Sequence, residues 1–513
     1  MAVDGGYNPP MASLSRRSLL RIGAATAGLF STAAGFVPSG RPRLTHGVQS
    51  GDVTSDGALV WTRADTPSRM LVEVAGDPSF RHSRLVRGPV LTPDSDGTGR
   101  LRLTGLPAGR ELHYRVTAED LDGRLRSEPV TGSFRTAPLD RRDVRFLWSG
   151  DVAGQGWGIN PDVGGMRVFS AMADRRPDFF VHSGDTVYSD GPLQETVVLP
   201  DGRRWRNLVT EEKSKVAQTL QQFRGQHSYN RMDDNLRRFT AEVPWIVQWD
   251  DHETMNNWNP GQVLTGHPEY TETRLDVLSA RAFQAFHEWH PLDRQRAVDG
   301  RVYRNFRYGP HVELFVLDMR SYRDPNDADT APYERILGDR QARWLVNALS
   351  ASRATWKIVA ADMPIGLVVA DARGVEAVAN GKPGAPTGRE AELAWVFRQL
   401  ARRHVRNVVW LTADVHYTAA HHYSPERAAV GDFDPFWEFV SGPLHAGGFG
   451  PNVLDPTFGP EAVFVHAPPA ANSSPLDDFQ HFGEVEVDGH SGALTVTLRT
   501  AAGRSLWATT LRP

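Results

Sequence analysis

Short runs in which apolar and polar residues alternate fill the chain between residues 44 and 137. Residues 57–62, 70–74, 100–103 and 112–116 follow this pattern, and glycines and prolines separate the runs. Alternation with a period of two is typical of half-buried strands, and closely spaced short strands favour a sandwich. We therefore predict an N-terminal all-β sandwich over residues 44–137.

The apolar runs become continuous after residue 143. They occupy residues 144–148, 179–182, 245–249, 312–317, 356–360 and 408–412. Stretches with helical character lie between them, at residues 165–175, 214–223, 275–289 and 338–350. Buried strands that alternate with helices predict an α/β (α+β) domain over residues 143–513. Residues 483–487 and 493–498 predict a hairpin near its end.

Composition excludes several classes of function. A length of 513 residues indicates two or three domains. The 57 basic and 61 acidic residues give a net charge of −4, so there is no basic excess for nucleic acid or an anionic membrane. Because the sequence contains no cysteine, it forms no disulfide and no cysteine-ligated zinc or iron–sulfur site.

The N-terminus indicates a compartment. Arg16 and Arg17 precede an uncharged stretch of residues 22–37 that includes Ala33 and Ala34. This arrangement resembles a twin-arginine (Tat) export signal, which we predict over residues 1–36. The resemblance implies the Tat export machinery as a partner and an extracellular, cell-wall or periplasmic location, with the metal already bound in the exported fold. The alternative is a chance arginine pair before an alanine-rich helix.

Side chains of the type that bind metals follow four of the predicted buried strands. They are Asp151, Asp185 with Tyr188, Asp251 and His252 with Asn256 and Asn257, and Asp414 with His416. Sites in α/β sheets form beyond the carboxyl ends of the strands, so these side chains are expected at one edge. Carboxylates bind hard cations, and a pair of cations suits phosphoester hydrolysis. The sequence therefore predicts a dinuclear hydrolase centre.

Each of these motifs is weak when taken alone. An aspartate after a strand is as often a helix cap or a turn residue. The triplet Ser-Gly-Asp, which ends at Asp151 and at Asp185, also occurs at residues 50–52 within the β-domain. We interpret that copy, which ends at Asp52, as structural. The ordered set of four motifs carries the prediction.

The same motifs, in this order, resemble the PhoD-type alkaline phosphatase family. The most specific strings are Trp-Asp-Asp-His-Glu at residues 249–253 and Leu-Thr-Ala-Asp-Val-His at residues 411–416. The resemblance extends over the chain after the signal, and residues 106–116 also resemble fibronectin type III modules. It implies a calcineurin-like metallophosphoesterase sandwich core behind a fibronectin type III-like domain. It also implies Fe(III) plus a divalent metal, with Ca²⁺ favoured and Zn²⁺ or Mn²⁺ as alternatives.

One position departs from the PhoD-type pattern. Many members carry cysteine where this chain has Asp151, and aspartate there resembles the ligand set of purple acid phosphatases. This second resemblance implies a ferric ion held by Asp151, Asp185, Tyr188 and His416. Asp185 would bridge to a second metal held by Asp251, Asp414 and either Asn256 or Asn257.

Further residues have roles that the sequence leaves open. His252 and Asp251 are the predicted catalytic pair, with His252 as an acid or oxyanion-stabilising group, or as a residue that orients Asp251. Arg320 would bind phosphate, or form a salt bridge to Asp318 or Asp324. His445, on a glycine-rich loop, would contact substrate or Asp414, or only cap a turn.

The predicted activity is hydrolysis of phosphate monoesters, diesters or both by attack of a metal-activated hydroxide. The partner is then a small phosphate ester. One alternative is a phospholipase-D-like phosphodiesterase on the same scaffold, with a phospholipid as substrate. The other alternative is a catalytically inactive binding module, which retention of all four motifs disfavours.

Overall fold

Twenty-six strands and six α-helices form within residues 40–326 and 331–513, which the computed structural model describes. The strands are β1 (Leu44–Gly51), β2 (Gly57–Ala64), β3 (Ser68–Ala75), β4 (Arg84–Leu91), β5 (Thr98–Thr104), β6 (Glu111–Asp120), β7 (Val130–Arg135), β8 (Val144–Ser149), β9 (Phe179–Ser183), β10 (Thr196–Val198), β11 (Arg204–Arg206), β12 (Trp245–Gln248), β13 (Arg304–Tyr308), β14 (Val312–Val316), β15 (Trp356–Ala360), β16 (Leu367–Val368), β17 (Ala370–Asp371), β18 (Gly374–Val375), β19 (Val408–Thr412), β20 (Thr418–Tyr423), β21 (Phe436–Val440), β22 (Val453–Leu454), β23 (Pro460–His466), β24 (His481–Val487), β25 (Leu494–Thr500) and β26 (Ser505–Leu511). The helices are α1 (Val168–Asp174), α2 (Leu220–Asn230), α3 (Asp234–Glu242), α4 (Leu275–Trp289), α5 (Gly338–Ala351) and α6 (Arg389–Arg402). The predicted signal over residues 1–36 lies outside the described residues.

Two large sheets face each other in the fold. One has nine strands in the order β26-β25-β24-β8-β9-β12-β1-β2-β5, and the other has seven in the order β13-β14-β15-β19-β21-β20-β23. A buried cluster joins them, with Phe146 and Val181 from the first sheet and Leu314 and Ile358 from the second. This is the packing of a β-sandwich, in which two sheets bury their inner faces against each other.

Helices cover the outer face of each sheet. Helices α1, α3 and α4 pack on the nine-stranded sheet in a cluster that includes Leu147 and Phe180. Helices α5 and α6 pack on the seven-stranded sheet with Phe315 and Trp410. The side chains of the neighbours Phe146 and Leu147 therefore point to opposite faces of β8, as the two-residue period of a strand requires. The predicted α/β (α+β) architecture is confirmed as four layers.

The six continuous apolar runs predicted as strands are β8, β9, β12, β14, β15 and β19. The predicted hairpin is formed by β24 and β25, in which Val485 pairs with Val496. The helix predicted over residues 275–289 is α4. The helix predicted over residues 214–223 begins instead at Leu220, because the side chain of Thr219 caps it and Gln222 completes the capping box. Helices α3 and α6 were not predicted.

The N-terminal strands form an all-β unit that shares a sheet with the core. Strands β4-β3-β6-β7 form a four-stranded sheet, whereas β1, β2 and β5 extend the nine-stranded sheet. Val60, Val72 and Tyr114 pack between these two layers. Because strands from residues 44–137 and 143–513 hydrogen-bond in one sheet, the boundary between two domains stays a prediction. The fibronectin type III-like identity also stays a prediction.

Asp52 ties this unit to the core, which supports its interpretation as structural. Its carboxylate forms an ion pair with Arg304 at 2.9 Å, and both side chains are fully buried. The second carboxylate oxygen accepts from the backbone N–H of Asp293 at 2.6 Å. Across the described ranges, no helix combines the length and the apolar character needed to cross a membrane.

Candidate metal centre

The carboxyl ends of four parallel strands meet at one edge of the sandwich. Asp151 follows β8, Asp185 follows β9 and Asp251 follows β12, all in the nine-stranded sheet, whereas Asp414 and His416 follow β19 in the other sheet. Adjacent strands are parallel, with Trp148 paired to Val181 and Ile246 paired to Val181. The predicted convergence of side chains at this edge is therefore what the fold produces.

The backbone turns sharply at each of these strand ends. Asp151, Asp185, Asp414 and His416 have φ angles of 68°, 50°, 67° and 60°. This left-handed region costs a non-glycine residue about 1–2 kcal/mol. Such strain is kept where the surroundings over-determine it, which is common at functional sites.

A first group of donors consists of Asp151, Asp185 and His416, whose ligand atoms lie within 4.8 Å of one another. His416 Nε2 lies 3.5 Å from Asp151 Oδ1 and 2.9 Å from the Tyr188 hydroxyl. The other ring nitrogen of His416, Nδ1, lies 2.5 Å from the carbonyl oxygen of Gly447 and must donate to it. Nε2 is therefore the ring nitrogen with a lone pair directed at the cluster.

Two further groups overlap with the first. Asp185, Asp251 and His252 form one, and Asp250, Asp251 and Asp414 form the other, each within the same 4.8 Å limit. Asp185 belongs to two groups, and so does Asp251. The acidic side chains thus form a continuous series in which Asp185 joins the first two groups and Asp251 joins the last two.

The two candidate asparagines differ in their exposure and in their hydrogen bonds. Asn256 is exposed and donates its backbone N–H to Asp190 at 2.7 Å. Asn257 is half-buried, its backbone N–H donates to Asp251 Oδ2 at 2.5 Å, and its side-chain amide donates to Asp371 at 3.2 Å. The donation to Asp371 leaves the amide oxygen of Asn257 as the atom available for a cation.

Burial and mutual repulsion dominate the electrostatics of the cluster. Burial, and then the neighbouring carboxylates, raise the pKa values of Asp151 and Asp185 well above the usual range. The same two causes raise the pKa of the Tyr188 phenol. For Asp251, burial is opposed by His252 and Arg320, which bring its pKa to about 2. A cation in the cluster would reverse the first three shifts by stabilising the ionised ligands.

The donor set fits metal ions. Asp151 Oδ2 and Asp251 Oδ1 are buried and have no hydrogen-bond partner. Buried carboxylate oxygens are normally hydrogen-bonded, and coordination of a cation satisfies them equally well. Carboxylates, a phenol and an imidazole at one point suit hard and borderline metals. We conclude that this cluster can hold more than one cation.

A cavity of about 550 Å³ opens onto the cluster. Its walls include Asp185, Asp251, His252, Asn256, Asn257, Asp414 and His416, together with Gln155, Val369, Ala370, Glu376, Val415, Phe449, Gly450, Pro451 and Asn452. Neither arginine nor lysine occurs among these described wall residues. His252 is therefore the one wall residue that combines nitrogen donors with a raised pKa, about 10, since Asp190 and Asp251 outweigh the opposing effect of burial.

Arg320 does not reach this cavity, contrary to the predicted contact with phosphate. It is fully buried, and its guanidinium forms ion pairs with Asp250 and Glu376. The predicted salt bridge to Asp318 or Asp324 is also wrong, because Asp318 accepts from the backbone N–H of Arg320 rather than from its guanidinium, and Asp324 forms an ion pair with Arg335. Four carboxylates lie within 4.0 Å of the guanidinium, so its task is to balance acidic charge behind the ligands.

His445 also lies away from the cavity. Its Nε2 donates to the carbonyl oxygen of Gly158 at 2.9 Å, and its ring packs on Trp205 at 5.5 Å. It lines a separate cavity of about 520 Å³ behind the Asp151 loop. Its backbone carbonyl accepts from Ala153 at 2.7 Å, so the contact of His445 with the site is structural.

The sequence did not predict roles at the site for three acidic residues, namely Glu253, Asp190 and Glu376. Glu253 accepts from Thr186 at 2.6 Å and from the backbone of Asp250 at 2.8 Å, which joins the β9 and β12 loops. Asp190 contacts His252 at 2.7 Å. Glu253 lies within the Trp-Asp-Asp-His-Glu string and Asp190 follows Tyr188 by two residues, so their positions were a signal. Glu376 lies beyond the β17–β18 hairpin, far from any motif, and gives no sequence signal.

Two family models match this chain. The family model described as PhoD-like phosphatase matches residues 146–498, and the one described as PhoD-like phosphatase, N-terminal domain, matches residues 31–138. Alkaline phosphatase D of Bacillus subtilis (strain 168) is 29% identical over 439 residues, which cover 79% of this chain and 70% of the relative.

Two solved structures are similar in fold. A structure of PhoD has a TM-score of 0.69 at 23% identity, with 92% of this chain and 90% of that chain covered. Purple acid phosphatase PPD1 from yellow lupin (Lupinus luteus) seeds has a TM-score of 0.57 at 13% identity, with 92% and 74% covered. At these identities the two similarities show the fold alone.

Proposed function

This chain belongs to the PhoD-like phosphatase family, and we propose that it is an exported, metal-dependent hydrolase of phosphate monoesters, diesters or both. The observation that carries the proposal is the convergence of Asp151, Asp185, Asp251, Asp414 and His416, with buried carboxylate oxygens that lack partners. An acidic cluster of this kind at the mouth of a cavity suits cations and a phosphate ester together.

The residues divide between two metals as follows. Asp151, Asp185, Tyr188 and His416 would hold Fe(III), for which a phenolate is a suitable ligand. Asp251, Asp414 and Asn257 would hold a divalent ion, with Ca²⁺ favoured by the family resemblance and Zn²⁺ or Mn²⁺ as alternatives. Ligands that are all oxygens suit Ca²⁺ and Mn²⁺ better than Zn²⁺. Asp185 would bridge them. The hydrogen bond from Asn257 to Asp371 supports Asn257 over Asn256. Bound cations would supply the activated hydroxide nucleophile and neutralise the phosphate oxygens.

The protein side chains then have distinct tasks. Asp251 orients the nucleophile and is itself fixed by the N–H of Asn257. His252 lies in the cavity wall and meets the oxygen that leaves phosphorus. Because neither arginine nor lysine lies in the described wall, the charge of the substrate phosphate is offset by cations and by His252. Val369, Val415 and Phe449 accommodate the organic part of the ester.

A lipid diester is the second candidate substrate, and one observation favours it. Phe449 and Pro451 line the cavity, and Val453 beside them is 73% exposed. This apolar rim next to the cluster is what entry of an acyl chain would need. A phospholipase-D-like activity on the same metals therefore deserves a direct assay.

A substrate panel with metal analysis tests both candidates. Purified protein is assayed on 4-nitrophenyl phosphate, bis(4-nitrophenyl) phosphate and phosphatidylcholine vesicles, and its metals are measured by elemental analysis. We expect turnover of at least one ester and a stoichiometric metal content. Protein that binds metal but hydrolyses none of the three would favour the inactive binding module instead.

Export by the Tat route belongs to the same proposal. It rests on Arg16 and Arg17 before the uncharged stretch of residues 22–37. Replacement of both arginines by lysine is expected to retain the protein inside the cell, as measured by fractionation. Unchanged export of that variant would refute the predicted signal.

A further inference from the structure

A cavity of about 410 Å³ lies beside the first turn of α5, and we call it the basic cavity because of its wall. Its volume is within the range of about 300–1,000 Å³ that is usual for ligand pockets. The charged residues of the described wall are four arginines and two aspartates, namely Arg301, Arg323, Arg335, Arg340, Asp324 and Asp339. Four positive and two negative charges leave an excess of two positive charges, the opposite of the acidic wall at the metal centre.

The carboxylates of the basic cavity do not neutralise all of its arginines. Asp324 is engaged by Arg335, with hydrogen bonds from Nε at 3.0 Å and from Nη2 at 2.6 Å. Arg301 stacks on Tyr322 instead, with its guanidinium carbon 4.9 Å from the centre of the ring. Within the described residues Arg301 forms no ion pair, so its charge is available to a ligand.

Arg323 is short of hydrogen-bond acceptors. It is only 3% exposed, and its Nη2 donates to Asn326 Oδ1 at 3.0 Å and to the carbonyl oxygen of Glu376. Arg389, which is also buried, donates to the same two oxygens at 2.7 and 2.5 Å. The Glu376 carboxylate lies 3.8 Å from Nη1 of Arg323, but it pairs with Arg320.

This sharing leaves Nε and Nη1 of Arg323 without a hydrogen-bond partner among the described residues. Buried donors are normally satisfied by protein, water or ligand. A buried arginine with unused donors, in the wall of a cavity that carries excess positive charge, indicates a site for an anion.

We propose that the basic cavity binds a phosphate group, at a site separate from the metal centre. Arginine presents planar pairs of N–H donors that match phosphate oxygens, and a dianion would balance the two excess positive charges. Free phosphate and the phosphate group of a small organic molecule share this chemistry. The proposal does not rest on the phosphoesterase function, since the walls of the two cavities have no described residue in common.

Phosphate binding to the metal-loaded protein and to Asp185→Asn tests the proposal. Equilibrium dialysis with radioactive inorganic phosphate measures binding, and Asp185→Asn removes the contribution of the metal centre. Asp185→Asn should retain one saturable phosphate site per chain. Addition of Arg301→Gln to that variant should weaken the site about 10–100-fold, as expected for the loss of a charge-assisted hydrogen bond.

A second variant and a control make the result specific to the cavity. Arg340→Gln, at an exposed position in the same wall, should weaken binding in the same way. Arg353→Gln removes an exposed arginine outside the wall and should bind phosphate as its parent does. Arg323 is not replaced, because it holds Asn326, whose amide donates to the carbonyl oxygen of Asn257 at 2.9 Å.

The outcomes also identify the source of the phosphate. Phenylphosphonate, which has no ester bond to hydrolyse, should bind more tightly than phosphate if the natural ligand is a phosphorylated organic molecule, and no more tightly if it is free phosphate. Absence of saturable binding to Asp185→Asn at millimolar phosphate overturns the proposal, and so does binding that neither Arg301→Gln nor Arg340→Gln weakens. Neither result bears on the proposed activity, which the substrate panel measures.

Discussion

Acid should destabilise this protein through a cluster of buried histidines beneath the metal centre. His182, His227 and His290 line a small cavity with Arg231 and Trp289. His227 packs against the ring of His290 at 5.2 Å. Neither ring nitrogen of His290 has a hydrogen-bond partner. With no carboxylate among these described wall residues to stabilise an imidazolium, each ring must stay neutral.

The magnitude follows from the shift at His227. Burial, and then the charges of Arg231 and Lys213, lower its pKa from 6.5 to about 3. Since the folded-state pKa lies below the unfolded value, the full stability is present above about pH 6.5 and is lost as the pH falls. At pH 5, uptake of this one proton stabilises the unfolded state relative to the folded state by about 2 kcal/mol. His182, whose pKa burial also lowers to about 3, contributes a similar loss.

Together, His227 and His182 lower the free energy of unfolding by about 4 kcal/mol between pH 8 and pH 5. This is a large part of the typical free energy of unfolding of about 5–15 kcal/mol. The assay is urea unfolding at several pH values for wild type and His227→Gln. The variant should be less stable at pH 8, and its deficit should shrink by about 2 kcal/mol at pH 5 because it no longer takes up that proton. His82→Gln, at an exposed position, is the matched control. A deficit for His227→Gln that is the same at every pH would refute the reasoning.

Three other predictions concern the metals and the attachment of the β-strands. Asp185→Asn and His416→Ala should each lower turnover by orders of magnitude while the protein stays folded, and metal content is measured with activity. Near-normal turnover in either variant would contradict the assignment of these residues as metal ligands. Protein purified without chelator should be coloured by a Tyr188 phenolate bound to Fe(III), and Tyr188→Phe should be colourless; a colourless wild type with stoichiometric zinc or manganese would exclude this ligand. Arg304→Met leaves Asp52 buried without its partner, so it should lower the free energy of unfolding by about 3–5 kcal/mol, and a denaturation midpoint equal to wild type would contradict that.

The strands and the sites at their ends were predictable because both signals are local. A short continuous apolar run such as residues 408–412 is typical of a buried strand, and Asp414 then lies at its carboxyl end. The meeting of four such ends follows from the parallel arrangement of strands, which is a rule of the architecture. The metal cluster could thus be inferred without a single observed contact.

One of the two helices that were not predicted, α6, carries charged residues on its buried face. Helix α6 buries Arg389, Glu390 and Glu392. Because these charged residues lie on its buried face, the sequence lacks the apolar stripe with helical spacing that predicts a helix. Glu392 accepts the backbone N–H groups of Ile336 and Leu337 at 2.8 and 2.7 Å, which sequence alone does not reveal. Helix α2 similarly buries four polar side chains, so only its capping residues mark where it begins.

The mistaken expectation for Arg320 has the same origin and explains the character of the site. An arginine after a strand was a reasonable phosphate ligand, but its partners Asp250 and Glu376 come from segments 70 and 56 residues away in the chain. Because Arg320 pairs with them, the carboxylates Asp151, Asp185 and Asp414 have His252 as the one cationic side chain among the described wall residues of the cavity. An acidic pocket of this kind would repel a phosphate ester. Under the proposed function it would become a phosphate site only when cations fill it, so metal binding and substrate binding would be a single electrostatic requirement.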